Sequence, residues 1–149
     1  MEYNQPSQLV KELYFGDNAE SKIMAGVKKL NDAVKSTLGA SGKCVIYEDA
    51  LGKPVITKDG VTVAQSVVLL DPVENIGATL IKEAANNTVK EAGDGTTTAT
   101  VLAHSLLETS EGDNSREVKE GIKSGVNKVV SYLDDISIEV TDDMLDQVA

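Results

Sequence analysis

Apolar residues recur at spacings of three and four along several separate stretches of this chain, each bounded by Gly, Pro or a capping side chain. That period lines the apolar residues along one side of a helix, so the chain has to fold by burying helical stripes against one another. The first stretch carries Ile23, Met24, Val27, Leu30, Val34 and Leu38 and is stopped by Gly39 and Gly42. Asp17 followed by Glu20 has capping-box spacing, with Asp17 as the expected N-cap. A second stretch opens at Asp71-Pro72, with Asp71 as N-cap and Pro72 at the first helical position. Its face is read as Ile76, Leu80, Ile81, Ala84, Ala85 and Val89, and it breaks at Gly93-Asp94-Gly95. The next helix runs through Ala99, Leu102, Ala103, Leu106 and Leu107 to near Gly112. After Asp113-Asn114-Ser115 another carries Val118, Ile122, Val126, Val129, Val130 and Leu133. Ser137 to Val140 reads as an extended connector, and Thr141-Asp142-Asp143 as the cap of a last helix.

The period changes between the first two stretches. Cys44 to Tyr47 and Val55 to Thr57 are β-prone runs around Leu51-Gly52-Lys53-Pro54, the pattern of a hairpin. Leu13-Tyr14-Phe15, before Gly16, is a further short strand by the same criterion, and Val61 to Leu70 is ambiguous between strand and helix. The expected fold is mainly α, a helical bundle with a small β-hairpin. No strand–helix–strand alternation supports a Rossmann-like sheet.

Length and composition narrow the function. A chain of 149 residues is expected to form one domain. With four Tyr, one Phe and no Trp, the core has to be aliphatic and base-stacking platforms are absent. A net charge of −10 argues against nucleic acid as a partner bound through the overall field. The single Cys44 excludes an internal disulfide, and with one His104 there is no ligand set for structural zinc. Cys44 lies in an apolar run and is read as a small core residue, and His104 as a residue on a helix face. No apolar run is long enough to span a membrane. The start, MEYNQPSQLV, lacks the features of a signal peptide or presequence, so the cytoplasm is the expected compartment.

The segment Gly93-Asp94-Gly95-Thr96-Thr97-Thr98-Ala99-Thr100 carries the most chemistry. Successive Thr are poor helix formers, but at a helix start their hydroxyls and the unpaired N–H groups can cradle a phosphate. Asp94 offers a hard oxygen ligand for the Mg²⁺ that accompanies a nucleotide triphosphate. The plain alternative is an Asp N-cap with Thr in the first turn. The Walker pattern G-x-x-x-x-G-K-[ST] is absent. Thr37-Leu38-Gly39-Ala40-Ser41-Gly42 is a Gly-bounded loop able to meet a ligand, or else a simple C-terminal cap. Thr57-Lys58-Asp59-Gly60 puts a cation beside a carboxylate, which is also what a solvated turn does.

In order and spacing these motifs resemble a known family. Glu74-Asn75-Ile76-Gly77-Ala78 and Glu91 through Ala103 closely resemble the signature stretch of GroEL-type chaperonins. Phe15-Gly16, Asp32-Ala33-Val34-Lys35, Thr37-Leu38-Gly39 and Ile56 through Ala64 also match, in order. The Thr-Lys-Asp-Gly form resembles the group I (bacterial and organellar) members. The resemblance runs from about Lys11 to the C-terminus. It implies a flexible extension at 1–10, the first half of an ATP-binding equatorial domain at 11–140, and the start of a hinge-like intermediate domain at 141–149.

By the same resemblance, Thr37, Leu38, Gly39, Ala40 and Lys58 line the nucleotide site. Asp94, Gly95, Thr96, Thr97 and Thr98 hold the phosphates, Asp94 being the Mg²⁺ ligand. Thr37, Lys58 (through its carbonyl) and Thr97 match the positions around a K⁺ ion. Asp59 aligns with a carboxylate that acts in ATP hydrolysis. The implied partners are further copies in a heptameric ring, single or double, unfolded client proteins held by an apical domain, and a co-chaperonin lid. Ala40-Ser41 departs from the family's Pro-Lys, removing a fixed φ and a charge, and Glu20 stands where Arg is common. Such drift suits a divergent or phage-encoded member. Family members run to several hundred residues, so the chain is expected to be a piece of a longer protein or a truncated relative. Two functions follow: an ATP-dependent folding chaperone of which this is the ATP-binding part, or a stand-alone helical interaction protein without turnover.

Overall fold

A computed structural model describes residues 13–144. The expected extension at 1–10, and the last residues of the expected hinge segment, lie outside that range. The elements are helix α1 (Gly16–Lys35), strands β1 (Val45–Glu48) and β2 (Pro54–Thr57), and helices α2 (Gly60–Ser66), α3 (Pro72–Ala92), α4 (Thr96–Thr109) and α5 (Ser115–Ile136). A 3₁₀ turn at Asp142–Met144 stands where a last helix is expected. The chain divides after Thr109 into two compact units. The first holds α1 to α4 and the hairpin; the second holds α5 and the 3₁₀ turn.

In the first unit α1 and α3 lie backbone to backbone. A Cβ at Gly26 would stand 1.8 Å from the Glu74 carbonyl oxygen, and one at Gly77 would stand 2.2 Å from that of Ile23. Only glycine permits this approach. Around the crossing Val27, Leu30 and Val34 of α1 pack with Val63 and Ala64 of α2 and with Ala78 and Ile81 of α3. Polar contacts fix the start of α3. Asp71 caps it, accepting from the Val73 and Glu74 N–H groups, while its carboxylate pairs with Lys22 of α1 at 2.6 Å. The Lys22 ammonium also lies 4.6 Å from the centre of the Tyr14 ring.

The β1–β2 pair is antiparallel, with Val45 opposite Thr57 and Ile46 opposite Ile56. Asp49 shapes the turn by accepting from the Leu51 and Lys53 N–H groups at 2.8 and 2.9 Å. Alternation then puts Ile46 and Ile56 on the outer face.

Several expectations are corrected. Residues 13–15 belong to no strand; Phe15 is extended and precedes α1 without a capping side chain, and Asp17 lies within the first turn. α1 ends at Lys35, leaving Leu38 in the following turn and exposed. Residues 61–66 belong to a helix, because Asp59 caps it. Cys44 is exposed, since strand parity places it with Ile46 rather than with Val45. On α3 the buried face is Gly77, Ala78, Ile81 and Ala85, and Ile76 and Leu80 are more than half exposed, because the close crossing selects small residues. On α4 the buried residues are Thr96, Thr100 and His104, while Leu102, Leu106 and Leu107 stay exposed. His104 is thus a buried group whose Nδ1 stands 3.8 Å from the Glu108 carboxylate one turn on.

In the second unit Asn114 caps α5 by accepting from the Arg116 and Glu117 N–H groups. The expected helix forms, and none of its residues is buried.

Candidate nucleotide site

Segments far apart in the chain meet in one cleft of about 290 Å³, lined by Thr37, Leu38 and Gly39, by Lys58 to Val61, and by Asp94 to Thr98. The first segment is the turn that follows α1. Thr37 closes it by donating from N–H and hydroxyl to the Val34 carbonyl, at 3.0 and 2.8 Å. Gly39 has φ +72°, a left-handed conformation that suits glycine and turns the chain away. Ala40 falls beyond the wall, in the turn closed by the Gly42 N–H on the Gly39 carbonyl.

The second segment joins β2 to α2. The Thr57 hydroxyl accepts from the Asp59 N–H at 3.0 Å, bending the chain as the strand ends. Asp59 then caps α2, its Oδ2 accepting from the Thr62 N–H at 2.9 Å and from the Thr62 hydroxyl. These bonds, the hydroxyl's first, hold the Asp59 carboxyl below its ordinary 3.8 against a small opposing effect of burial. The group is ionised at neutral pH. Gly60 follows at the first helical position, and a Cβ there would stand 2.1 Å from Thr97 Oγ1 and 3.7 Å from Thr37 Oγ1. All of the segments therefore touch at Gly60.

The third segment is the break between α3 and α4. Gly93 ends α3 at φ +79°, donating to the Val89 carbonyl. Asp94 accepts from the Gly95 N–H at 2.6 Å, so it shapes the turn rather than capping α4. The first backbone bond of α4 runs from the Ala99 N–H to the Gly95 carbonyl. The N–H groups of Thr96, Thr97 and Thr98 thus belong to the helix's first turn, which has no acceptor of its own. The Thr96 hydroxyl is buried without a hydrogen-bond partner.

Thr37, Leu38, Gly39, Lys58, Asp59, Asp94, Gly95, Thr96, Thr97 and Thr98 are brought together; Ala40 is not. Gly60 and Val61 join the wall although sequence reasoning does not single them out as site residues. The one signal for Gly60 is a glycine directly after a capping Asp, a position where helices do not need one.

The cleft's ionisable lining is Lys58, Asp59 and Asp94. Two carboxylates against one ammonium repel a bare polyphosphate, so an anion of that kind needs a cation beside it. Among the described residues no group of three or more His, Cys, Asp or Glu could hold a metal unaided. A divalent ion here would share its coordination between Asp94 and the ligand's own oxygens. The orphan Thr96 hydroxyl and the donors of the α4 turn fit such a pair.

Solved structures share this architecture. The chaperonin gp146 from the bacteriophage EL 2 (Pseudomonas aeruginosa), crystallised in the presence of ATP-BeFx, matches with a TM-score of 0.75 and 33% identity over 84% of this chain. A second crystal form of that protein gives a TM-score of 0.74 at the same identity. The matched fold is the N-terminal equatorial portion of a chaperonin, and this chain spans 22% and 23% of those two chains. The model of the TCP-1/cpn60 chaperonin family matches residues 30–149. The chain belongs to that family.

Proposed function

We propose that this chain is the ATP-binding, ring-forming equatorial part of an ATP-dependent folding chaperone. The convergence of Thr37–Gly39, Lys58–Val61 and Asp94–Thr98 on one polar cleft carries the reading. The N–H groups of Thr96 to Thr98 donate to phosphate oxygens at the positive end of α4. Asp94 would hold Mg²⁺, and Thr37, Thr97 and the Lys58 carbonyl would hold K⁺; bound with ATP, such cations would supply charge neutralisation at the phosphates. Asp59, ionised and oriented by Thr62, positions the attacking water and accepts its proton. The ATP-BeFx present with the related phage chaperonin supports a nucleotide in this family's cleft.

The exposed Ile46–Ile56 pair on the hairpin supports a role for this ribbon in joining neighbouring subunits of a ring, heptameric and single or double. Client proteins and a co-chaperonin lid would engage other parts of the full-length protein, in the cytoplasm. Group I character rests on the Thr57-Lys58-Asp59-Gly60 form, and kinship with phage-encoded members is supported by the gp146 match.

Calorimetric titration of the full-length protein with Mg-ATP tests the site. Asp94→Ala should lose Mg²⁺-dependent affinity; unchanged binding would reject the assignment. Asp59→Asn keeps the cap of α2 and should bind ATP nearly as the parent does. Its turnover should fall by about 10²-fold or more, the scale of a general base. Equal steady-state rates would remove Asp59 from the chemistry.

A further inference from the structure

α2 has seven residues, too few to hold itself in place, yet its first end carries Asp59 into the cleft. Val63 and Ala64 bury one side of it. Its far end is held by α3. The Lys82 ammonium donates a hydrogen bond to the carbonyl of Val67, the C-cap residue of α2. Two residues on, the Leu69 N–H donates to Asn75 Oδ1 at 3.0 Å, and Val67 and Leu69 pack against the core. Burial pushes the Lys82 ammonium below its ordinary 10.5, and no carboxylate offsets that desolvation. A half-buried cation directed at one carbonyl, at the negative end of a short helix, suits fastening rather than solubility.

We propose that Lys82 is a positioning residue for turnover: by holding the Val67 carbonyl it clamps the far end of α2 to α3 and so sets where Asp59 stands in the cleft. This rests on the nucleotide-site reading above. The lever is short and stiff. At 1.5 Å per residue α2 is about 10 Å long, so a tilt of about 6° moves its first end by about 1 Å. A misplacement of that size can cost about 10²-fold in rate when it separates a catalytic group from its target. α4 packs chiefly on α1 and α3, and its phosphate-facing turn meets α2 at that helix's first end, so nucleotide affinity is expected to change far less than turnover.

The test compares Lys82→Met and Lys82→Arg in the full-length protein, each alone and with Asp59→Asn. Mg-ATP affinity is measured by calorimetry, hydrolysis by steady-state and single-turnover phosphate release, and folding by thermal melting. Lys82→Met should lower kcat about tenfold or more while the Kd for Mg-ATP stays within about twofold. Lys82→Arg, which keeps a cationic donor, should recover most of the loss. In the Asp59→Asn background Lys82→Met should cost nothing further, because both act through one group. Parental kcat in Lys82→Met, a matching loss of affinity, or full additivity with Asp59→Asn would each overturn the proposal. Should the Met variant fail to fold, Lys82→Gln, a neutral donor too short to reach fully, carries the same measurements. A parent that neither binds nor hydrolyses ATP sinks the nucleotide-site reading itself. A parent that turns over ATP beside Lys82 variants that match it sinks only the clamp.

Discussion

α1 and α5 are amphipathic helices of 20 and 22 residues, and they meet opposite fates. α1 buries Gly26, Val27, Leu30, Asn31 and Val34, whereas α5 buries nothing and leaves Val126, Val129, Val130, Leu133 and Ile136 about half exposed. Both carry interior glycines. Gly26 of α1 faces the α3 backbone, while among the described residues nothing beyond the local helix backbone lies within 4 Å of a would-be Cβ at Gly121 and Gly125 of α5. An apolar stripe therefore records that a helix needs a partner, and only packing tells which stripe the described residues cover. The same holds for glycine, which is a contact in α1 and a helix-weakening residue in α5.

The largest effect is expected at Gly26. An alanine methyl there would overlap the Glu74 carbonyl and force α1 from α3, costing about 4 kcal/mol or more. Thermal unfolding of the full-length protein reads this directly, and a melt unchanged by Gly26→Ala would dismiss the backbone crossing. Leu30→Ala, in the fully buried centre of α1, should cost about 3 kcal/mol. Val129→Ala on α5 should stay within about 0.5 kcal/mol. Equal losses for that pair in denaturant titration would show that α5 depends on a packing partner no less than α1 does. Gly125→Ala should instead stabilise by about 0.5–1 kcal/mol, since no contact opposes the gain in helix propensity.

The smallest effect is acid sensitivity. The Lys22 hydrogen bond and the Glu74 and Val73 N–H groups hold Asp71 below its ordinary 3.8. A depressed folded-state value means that the carboxylate's contribution is present above 3.8 and is lost as pH falls through the folded value. Lys22 is raised above 10.5, chiefly by the Asp71 hydrogen bond, so its contribution is present below 10.5 and is lost as pH rises through the folded value. Both side chains are exposed enough for salt to weaken the pair. The α5 cap, Asn114, does not titrate. Lowering the pH below 3.8 should therefore speed hydrogen exchange at the start of α3 by a larger factor than at the start of α5; equal acceleration would contradict the capping assignment.

Much of this architecture is legible in the sequence. Asp71-Pro72 and Asn114 mark helix starts because a capping side chain acts within its own turn, where sequence distance and spatial distance agree. The hairpin is legible for the same reason, through Gly52 and Pro54. Asp17 misleads because its spacing to Glu20 copies a capping box although the N-cap is Phe15, two residues earlier, and the helix starts at Gly16. α4 misleads more instructively. Its three leucines stay exposed while Thr96, Thr100 and His104 face inward, a choice imposed by neighbours rather than by hydropathy. Gly60 escapes notice as a wall residue because its reason for being glycine lies on Thr97, 37 positions away.

By itself, the sequence determined the order of elements, most of their ends and the chemistry of each motif, since these depend on residues within a few positions of one another. The tertiary structure alone decided which faces are buried, and that Thr37, Asp59 and Thr97 share one cleft. It also decided that a lysine on α3 holds the helix bearing Asp59. Those outcomes depend on packing between segments tens of residues apart, and at that range backbone clearance and desolvation, not local periodicity, set the free energy.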